Sequence, residues 1–392
     1  MPIASQKFNY VNKIFKNLLS TKQYQLKETY DALKNSDFLL VTSTGRSERA
    51  FEIPSGEIQR NVEGLTVLRY NDIALRGDTL DMAAPKHEKD HKNLLSAFIT
   101  GSGETLDTIS PMEQFFSYLK KSGSKKWKTL LVTQNSNSIA GKIAKENDGI
   151  ILELRGSENK NSTNYRENAI MRDPFEISEL CTFQYLGQAM VEGSDYERFY
   201  EIAEKKLPAI GRKMDEWTDS EMCDSLLNNL ERHSDVFVGG RRGGRSTARF
   251  LVKRLAQEKQ KIRDQAYIIG GENTPEPRIG DAVVINSKSG GMENYYSPTL
   301  KEEKSHVLSW ATKAKELGAS IYSFVGTINS PLADPKISDH TVVFDTHADD
   351  KKTPRGYSDK YTQIAMLQNN ISILLAERLK MTPEDFRKSH GF

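Results

Sequence analysis

Two short turns rich in Gly, Ser and Thr have the composition of a phosphate-binding loop. Residues 100–105 read Thr-Gly-Ser-Gly-Glu-Thr, and they follow an apolar run at 94–99 and precede a helical pattern at 109–119. Backbone N–H groups, side-chain hydroxyls and the positive end of a helix together favour a bound phosphate. Many turns between a strand and a helix carry Gly and Ser for steric reasons alone, so this turn by itself is compatible with both interpretations.

A second copy of the turn favours the functional interpretation. Residues 286–293 read Asn-Ser-Lys-Ser-Gly-Gly-Met-Glu, again after an apolar run and before a helical pattern, here at 305–317. The two halves of the chain match at three places in the same order. These matches are 45–47 with 244–246, 102–103 with 289–290, and 137–140 with 329–333. Such an ordered series predicts an internal duplication.

Apolar runs that alternate with helical patterns predict the elements that carry these turns. The predicted strands are 37–41, 65–70, 94–100, 128–133, 149–154, 235–238, 265–269, 281–285, 320–325 and 340–344. Helices are expected at 174–191, from 247 to 255 and at 361–379, and a surface loop is expected at 156–168. This order predicts two parallel-sheet α/β domains, at 1–195 and 196–392, with ligands at the carboxyl ends of the strands.

Composition excludes several classes of protein. The chain of 392 residues has 55 Lys and Arg against 53 Asp and Glu, so nothing favours a nucleic-acid or charged membrane partner. No apolar run is long enough to span a bilayer, and residues 1–10 have no signal-peptide core. The only cysteines, Cys181 and Cys223, offer no disulfide framework. We therefore expect a cytoplasmic protein.

Two further clusters could do chemistry. Residues 87–91, His-Glu-Lys-Asp-His, fit a zinc pattern in which Glu88 would be the base. Flanking Lys and Pro residues predict a solvated loop instead, with no evident third ligand, and we expect no metal. The basic cluster Arg241, Arg242 and Arg245 is too small for nucleic acid and indicates a phosphate or ion-pair role.

These residues resemble the sugar isomerase (SIS) family of phosphosugar-binding domains, here in tandem, and most closely the 6-phospho-3-hexuloisomerase type. That type has a Gly-Arg-Ser turn after its first strand, and it has a Ser-Gly-Ser-Gly-Glu-Thr phosphate turn that 100–105 match almost letter for letter. Residues 271–275 resemble its Gly-Glu-Thr-Thr-Thr-Pro stretch, and 388–392 resemble its tail. The resemblance implies two doubly wound domains, each with a parallel five-stranded sheet flanked by helices.

The resemblance also implies the site residues. The phosphate would be bound by Gly45, Arg46, Ser47, Thr100, Ser102, Gly103 and Thr105. Glu176, in a Phe-Glu pair that resembles the family's Phe-Glu-Glu at the start of the last helix, and His390 would be catalytic. The second half departs from the pattern, with Asp359 and Lys360 where the Glu is expected and Lys288 inside its turn. Its candidates for a second, altered site are Arg245, Ser246, Ser287, Ser289 and Gly290.

The chemistry expected of such a site is movement of a carbonyl between neighbouring carbons of a sugar phosphate. One base removes a proton beside the carbonyl and returns it to the other carbon of a cis-enediol. A partly buried carboxylate suits this role, and we take Glu176 as the base. His390 could move protons between the sugar oxygens or open the ring, and Arg46 could steady negative charge.

We therefore predict an isomerase of hexose or hexulose 6-phosphates that needs no cofactor and forms a homodimer of tandem domains. Two alternatives are open at this point. One is a sugar-phosphate sensor that binds without turnover. The other is an aminosugar-forming enzyme, for which this chain lacks a glutamine-hydrolysing domain.

Overall fold

The computed structural model describes residues 3–74, 77–156, 161–171, 173–271, 273–292, 295–297, 302–304, 306–344 and 357–388. The chain divides into two compact units. One comprises 12–158 and 172–206, and the other comprises 1–11, 159–171 and 207–392. We call them the first-half unit and the second-half unit. The predicted boundary after residue 195 stays a prediction.

Each unit is built on one five-stranded sheet. The strands of the first are β1 (Phe38–Ser43), β2 (Thr66–Arg69), β3 (Leu94–Ile99), β4 (Trp127–Thr133) and β5 (Ile150–Glu153). The strands of the second are β6 (Val236–Gly240), β7 (Ala266–Ile268), β8 (Ala282–Ser287), β11 (Ser320–Val325) and β12 (His340–Val343). A separate antiparallel pair, β9 (Tyr295–Ser297) and β10 (Glu302–Lys304), precedes β11 in the chain.

The helices lie between and around these strands. They are α1 (Asn9–Leu19), α2 (Gln23–Lys34), α3 (Gly45–Asn61), α4 (Tyr70–Ala74), α5 (Leu80–Asp90), α6 (Leu106–Ser122), α7 (Ile139–Glu146), α8 (Tyr165–Asn168), α9 (Asp173–Val191), α10 (Arg198–Thr218), α11 (Glu221–Glu231), α12 (Gly243–Lys261), α13 (His306–Glu316), α14 (Lys360–Arg378) and α15 (Pro383–Lys388). A short 3₁₀ helix spans Pro331–Ala333.

The two sheets have the same topology. The strand order is β2-β1-β3-β4-β5 in the first and β7-β6-β8-β11-β12 in the second, and every neighbouring pair within them is parallel. The chain order 2-1-3-4-5 therefore occurs twice. The predicted α/β class, with two doubly wound five-stranded sheets, is confirmed, and each order reverses between the first and third strands of its sheet.

The central strands are buried on both faces, as expected for parallel sheets covered by helices. In the first-half unit, Phe38, Leu40 and Phe98 pack with apolar residues of α5, α6 and α7. In the second-half unit, Val283, Ile285 and Ile321 pack with α13 and with Leu332 of the 3₁₀ helix. Burial of these apolar side chains sets the register between neighbouring strands. Because the strands are parallel, their carboxyl ends lie at one edge of each sheet.

Some local predictions were wrong. Residues 80–90 form α5 rather than a loop, because Leu80, Ala83 and Ala84 bury one helical face against the sheet. The expected loop at 156–168 contains α8, where Asn164 caps the helix by accepting from Glu167 N–H. Helix α12 begins before and ends after the predicted range. Among the described residues, no helix combines the length and apolarity needed to cross a bilayer.

Candidate active site

The first turn lies directly after β3, at the carboxyl edge of the sheet. Gly103 adopts a φ of 68°, and a Cβ at this residue would lie 1.9 Å from Oγ of Ser138. The Gly103 carbonyl accepts from Ala140 N–H at 3.0 Å, and its N–H donates to Oγ1 of Thr100 at 3.2 Å. Only glycine satisfies both the left-handed conformation and the close approach, so the turn is held against the start of α7.

This geometry leaves donors available at the turn. The backbone N–H groups of Gly101, Ser102 and Thr105 donate to no acceptor in the part of the chain that the structure describes. Helix α6 starts at Leu106 without a side-chain cap. The hydroxyls of Ser102 and Thr105 lie 3.4 Å apart at the same place. Amide hydrogens, hydroxyls and a helix amino terminus together form a set of donors that suits an oxyanion.

The start of α9 packs against this turn. A Cβ at Gly101 would lie 3.0 Å from the ring of Phe175, so the ring occupies the space that a side chain would need. Glu176 therefore follows a residue that contacts the turn, and the residue as a whole is 6% exposed. The start of α9, which carries Glu176, therefore lies beside the 100–105 turn, and the role of Glu176 stays a prediction.

A buried ion cluster joins α3 to α9. The Arg46 guanidinium pairs with the Asp173 carboxylate, and its Nε lies 3.2 Å from Oε2 of Glu176. All three side chains are buried. A buried charge needs a partner of opposite sign, and here one cation faces two carboxylates. Arg46 thus lies beside the carboxylate proposed as the base. Ser47, next in the chain, is half-buried in the first turn of α3.

A second carboxyl group lies one helical turn beyond Glu176. Glu179 is fully buried, and both of its carboxyl oxygens lack a hydrogen-bond partner among the described residues. Burial and, secondarily, the nearby charge of Glu176 hold the pKa of Glu179 well above its usual range. The residue therefore favours its neutral form inside the protein.

The second turn has the same backbone construction. Gly290 has a φ of 61°, its carbonyl accepts from Leu332 N–H at 2.9 Å, and a Cβ there would lie 2.0 Å from Oγ of Ser330. Ser287 Oγ accepts from Gly291 N–H at 3.3 Å and lies 3.4 Å from Oγ of Ser289. The candidates Ser287, Ser289 and Gly290 therefore occupy one turn.

The two Gly-Arg-Ser triplets, 45–47 and 244–246, by contrast, lie at different positions relative to the start of the helix that follows. Helix α3 begins at Gly45, the first residue of its triplet, whereas α12 begins at Gly243, one residue before Gly244. The left-handed residue is Gly45 in the first half but Arg242 in the second. As a result Arg245 is exposed, unlike the buried Arg46, while Ser246 is buried.

The histidines of the zinc-like pattern lie away from the 100–105 turn. The rings of His87 and His91 pack on Phe38, with centroid distances of 4.3 and 4.7 Å. Burial lowers the pKa of His87 from its usual value. No group of three or more His, Cys, Asp or Glu that could hold a metal was found within the described ranges. His390 lies outside the described residues.

The surface also has an open cleft of about 350 Å³ beside β5. It is lined by Lys22, Tyr24, Gln25, Glu28, Ser136, Lys145, Gly149, Ile151 and Glu153. None of the predicted site residues lines it. It offers side chains of both charges on a solvated surface.

No protein-family profile and no curated protein matches this sequence. Solved structures do match over nearly the whole chain. The C-terminal domain of glucosamine-fructose-6-phosphate aminotransferase from Francisella tularensis has a TM-score of 0.55 at 15% identity, covering 94% of both chains. Tagatose-6-phosphate ketose/aldose isomerase from Escherichia coli has 0.55 at 11%, covering 96% of this chain and 94% of its own.

A third match is glucosamine-6-phosphate deaminase from Thermotoga maritima, with a TM-score of 0.54 at 15% identity and coverage of 95% and 96%. At these identities the likeness establishes the fold alone, which is the predicted α/β class with two doubly wound five-stranded sheets. Fold alone does not determine the reaction.

Sequence reasoning missed two carboxyl groups of this site. Asp173 immediately precedes a proline at a helix start, and Glu179 follows Glu176 at a spacing of three residues, which places both on one side of α9. The helical spacing was a usable signal for Glu179. Nothing in the sequence joined Asp173 to Arg46, which lies 127 residues earlier.

Replacing the glycine of the first turn should be costly. We expect Gly103→Ala to lower the free energy of unfolding by about 2–4 kcal/mol, because left-handed strain adds to overlap with Ser138. Gly123 has a nearly equal φ of 66° with open space around it, so Gly123→Ala should cost only about 1 kcal/mol. Urea denaturation measures the free energy of unfolding of both variants. Equal decreases in the two would contradict the close packing of Gly103 against Ser138.

Removing the buried acid should change the pH dependence of stability. A carboxyl group with a raised pKa in the folded state stabilises the fold only at low pH, because the unfolded chain ionises as pH rises. We expect Glu179→Gln to unfold at higher urea concentration than the wild type at pH 8, with the difference shrinking towards pH 4.5. The exposed Glu113→Gln should show no such trend. If the wild type and Glu179→Gln unfold at the same urea concentration at both pH values, Glu179 is not buried in its neutral form.

Proposed function

We propose that the first-half unit is a phosphosugar isomerase site that interconverts hexose or hexulose 6-phosphates, of the 6-phospho-3-hexuloisomerase or aldose–ketose type. The observation that supports this proposal is the contact of Phe175 with Gly101, because Phe175 directly precedes Glu176 on α9 and Gly101 belongs to a turn with N–H groups that have no acceptor among the described residues. The phosphate would bind the N–H groups and hydroxyls of residues 100–105. Three neighbours in fold are named for reactions of hexose 6-phosphates or aminosugar 6-phosphates, which supports the substrate class.

In the proposed reaction, Glu176 removes the proton from the carbon beside the carbonyl. The electron pair forms the carbon–carbon double bond of a cis-enediol, and the carbonyl oxygen gains a proton. Glu176 then returns its proton to the former carbonyl carbon while the hydroxyl on the neighbouring carbon loses its proton and becomes the new carbonyl, so no cofactor is consumed. Arg46 lies against Glu176 and would orient the carboxylate. His390 is proposed to move the proton between the two sugar oxygens or to open the ring.

The alternative is a sugar-phosphate sensor. One observation favours it: the Glu176 carboxylate already lies in an ion pair with Arg46, which lowers its availability as a base. Such a protein would keep the phosphate turn and bind without turnover. We also propose that the duplicated domains assemble as a homodimer of tandem chains.

The test uses the full chain and a panel of hexose and hexulose 6-phosphates. We expect Glu176→Gln to abolish turnover while binding is retained, because the amide cannot accept the carbon-bound proton. Ser102→Ala should weaken binding by about tenfold, through loss of a hydrogen bond to a charged group. Ser110→Ala and Glu113→Gln, both exposed on α6, serve as matched controls.

Tight binding without turnover on every substrate would favour the sensor and exclude the isomerase. Turnover that survives in Glu176→Gln would remove Glu176 from the mechanism. An unchanged affinity in Ser102→Ala would remove the hydroxyl of Ser102 from the phosphate site.

A further inference from the structure

The second turn retains the geometry of the first but has different chemistry around it. In the first-half unit, Phe175 contacts Gly101, which lies two residues before the left-handed Gly103. In the second-half unit, the hydroxyl of Tyr361 accepts from the N–H of Lys288, two residues before Gly290, at 3.4 Å. Phe175 and Tyr361 therefore occupy equivalent places at the start of their helices.

This equivalence identifies the residue that replaces the proposed base. The residue after Phe175 is Glu176, and the residue after Tyr361 is Thr362, which is fully buried. A threonine hydroxyl does not act as a base at neutral pH. At this position Thr362 therefore does not supply a group that could remove a proton from a bound sugar.

An ammonium group lies beside this turn. Lys360 is 2% exposed, and its Nζ lies 3.4 Å from the carbonyl of Gly326. A Cβ at Gly326 would lie 2.3 Å from the carbonyl oxygen of Lys288 and 3.2 Å from Cδ of Lys360, so backbone, turn and lysine stem pack together. Asp359 precedes Lys360, and its carboxylate accepts from Gln363 at 3.0 Å. Lys288 adds a second ammonium from within the turn.

A buried hydroxyl gives an independent indication of a ligand. Ser330 is 6% exposed, its Oγ faces Gly290, and that oxygen has no hydrogen-bond partner among the described residues. Its counterpart Ser138 donates to Asn135 O at 2.7 Å and accepts from Gly141 N–H at 3.2 Å. The hydroxyl of Ser138 is therefore hydrogen-bonded locally, whereas the hydroxyl of its counterpart Ser330 keeps unused hydrogen-bonding capacity.

From these contacts we propose that the second turn is a separate binding site for a phosphomonoester, which it holds without isomerising it. The hydroxyls of Ser287, Ser289 and Ser330 and the backbone N–H of Ser289, which has no acceptor among the described residues, would donate to the phosphate oxygens. Lys288 and Lys360 would balance the charge of the dianion. The inference rests on the proposed function only in its ligand class, and the two can fail separately.

The experiment is calorimetric titration of the full chain with fructose 6-phosphate and, separately, inorganic phosphate. We expect two sites per chain. Lys288→Met should weaken one of them by about tenfold or more and leave the other unchanged. Lys336→Met removes the same charge from an exposed residue of the same unit and should leave both sites intact. Ser289→Ala provides a second test that keeps the charge if Lys288→Met fails to fold.

Each outcome separates this inference from the proposed function. One site, lost in Ser102→Ala and unaffected by Lys288→Met and Ser289→Ala, would overturn the second site and leave the isomerase proposal standing. One site, lost only in Lys288→Met or Ser289→Ala, would support the second site and contradict phosphate binding at the first turn. Failure of inorganic phosphate to compete for the Lys288-dependent site would overturn its assignment to the phosphate group.

Discussion

A left-handed glycine pressed against a serine determines the geometry on which both candidate sites depend. Gly103 and Gly290 each direct a carbonyl to the N–H of a segment that starts after the next sheet strand. The missing Cβ lets Ser138 or Ser330 approach to a distance that any other residue would block. The turn is thereby tied to two neighbouring strands at once, and in the first half three backbone N–H groups at its rim have no acceptor among the described residues.

Charge balance distinguishes the two halves more strongly than topology does. In the first, the cation of Arg46 is buried between Asp173 and Glu176, so two carboxylates are held near the turn. In the second, Lys288 lies within the turn and Lys360 packs beside it, and we infer that Thr362 takes the place of Glu176. Buried charges are costly unless they are compensated, so each arrangement implies a different preferred ligand or reaction. The two sheets share one topology, while the charged residues around their turns differ.

The start of α9 carries an energetic cost that is consistent with a functional role. Glu179 is fully buried one turn from Glu176, and its pKa is held high by the same burial that covers the helix. A neutral acid beside an ion cluster lowers stability at neutral pH without a compensating hydrogen bond in the described chain. Buried groups with shifted pKa values are frequent at functional sites, although structural clusters show them too.

The sequence by itself determined the strands of the two parallel sheets, the doubled topology and the position of both turns, but it did not predict β9 and β10. Apolar runs such as 94–99 and 320–325 predict buried strands because parallel sheets bury both faces, and the structure confirms them to within two residues. The polar residues around 87–91 predicted a loop, but residues 80–90 form α5 because one apolar face of that helix is buried. Only the tertiary structure decided that Arg46 pairs with Asp173 and that Arg245 is exposed, and the inference that Thr362 takes the place of Glu176 also rests on it. These outcomes depend on contacts between residues far apart in the chain or on a one-residue offset at a helix start. Long-range contacts and helix offsets leave no periodic pattern in the sequence.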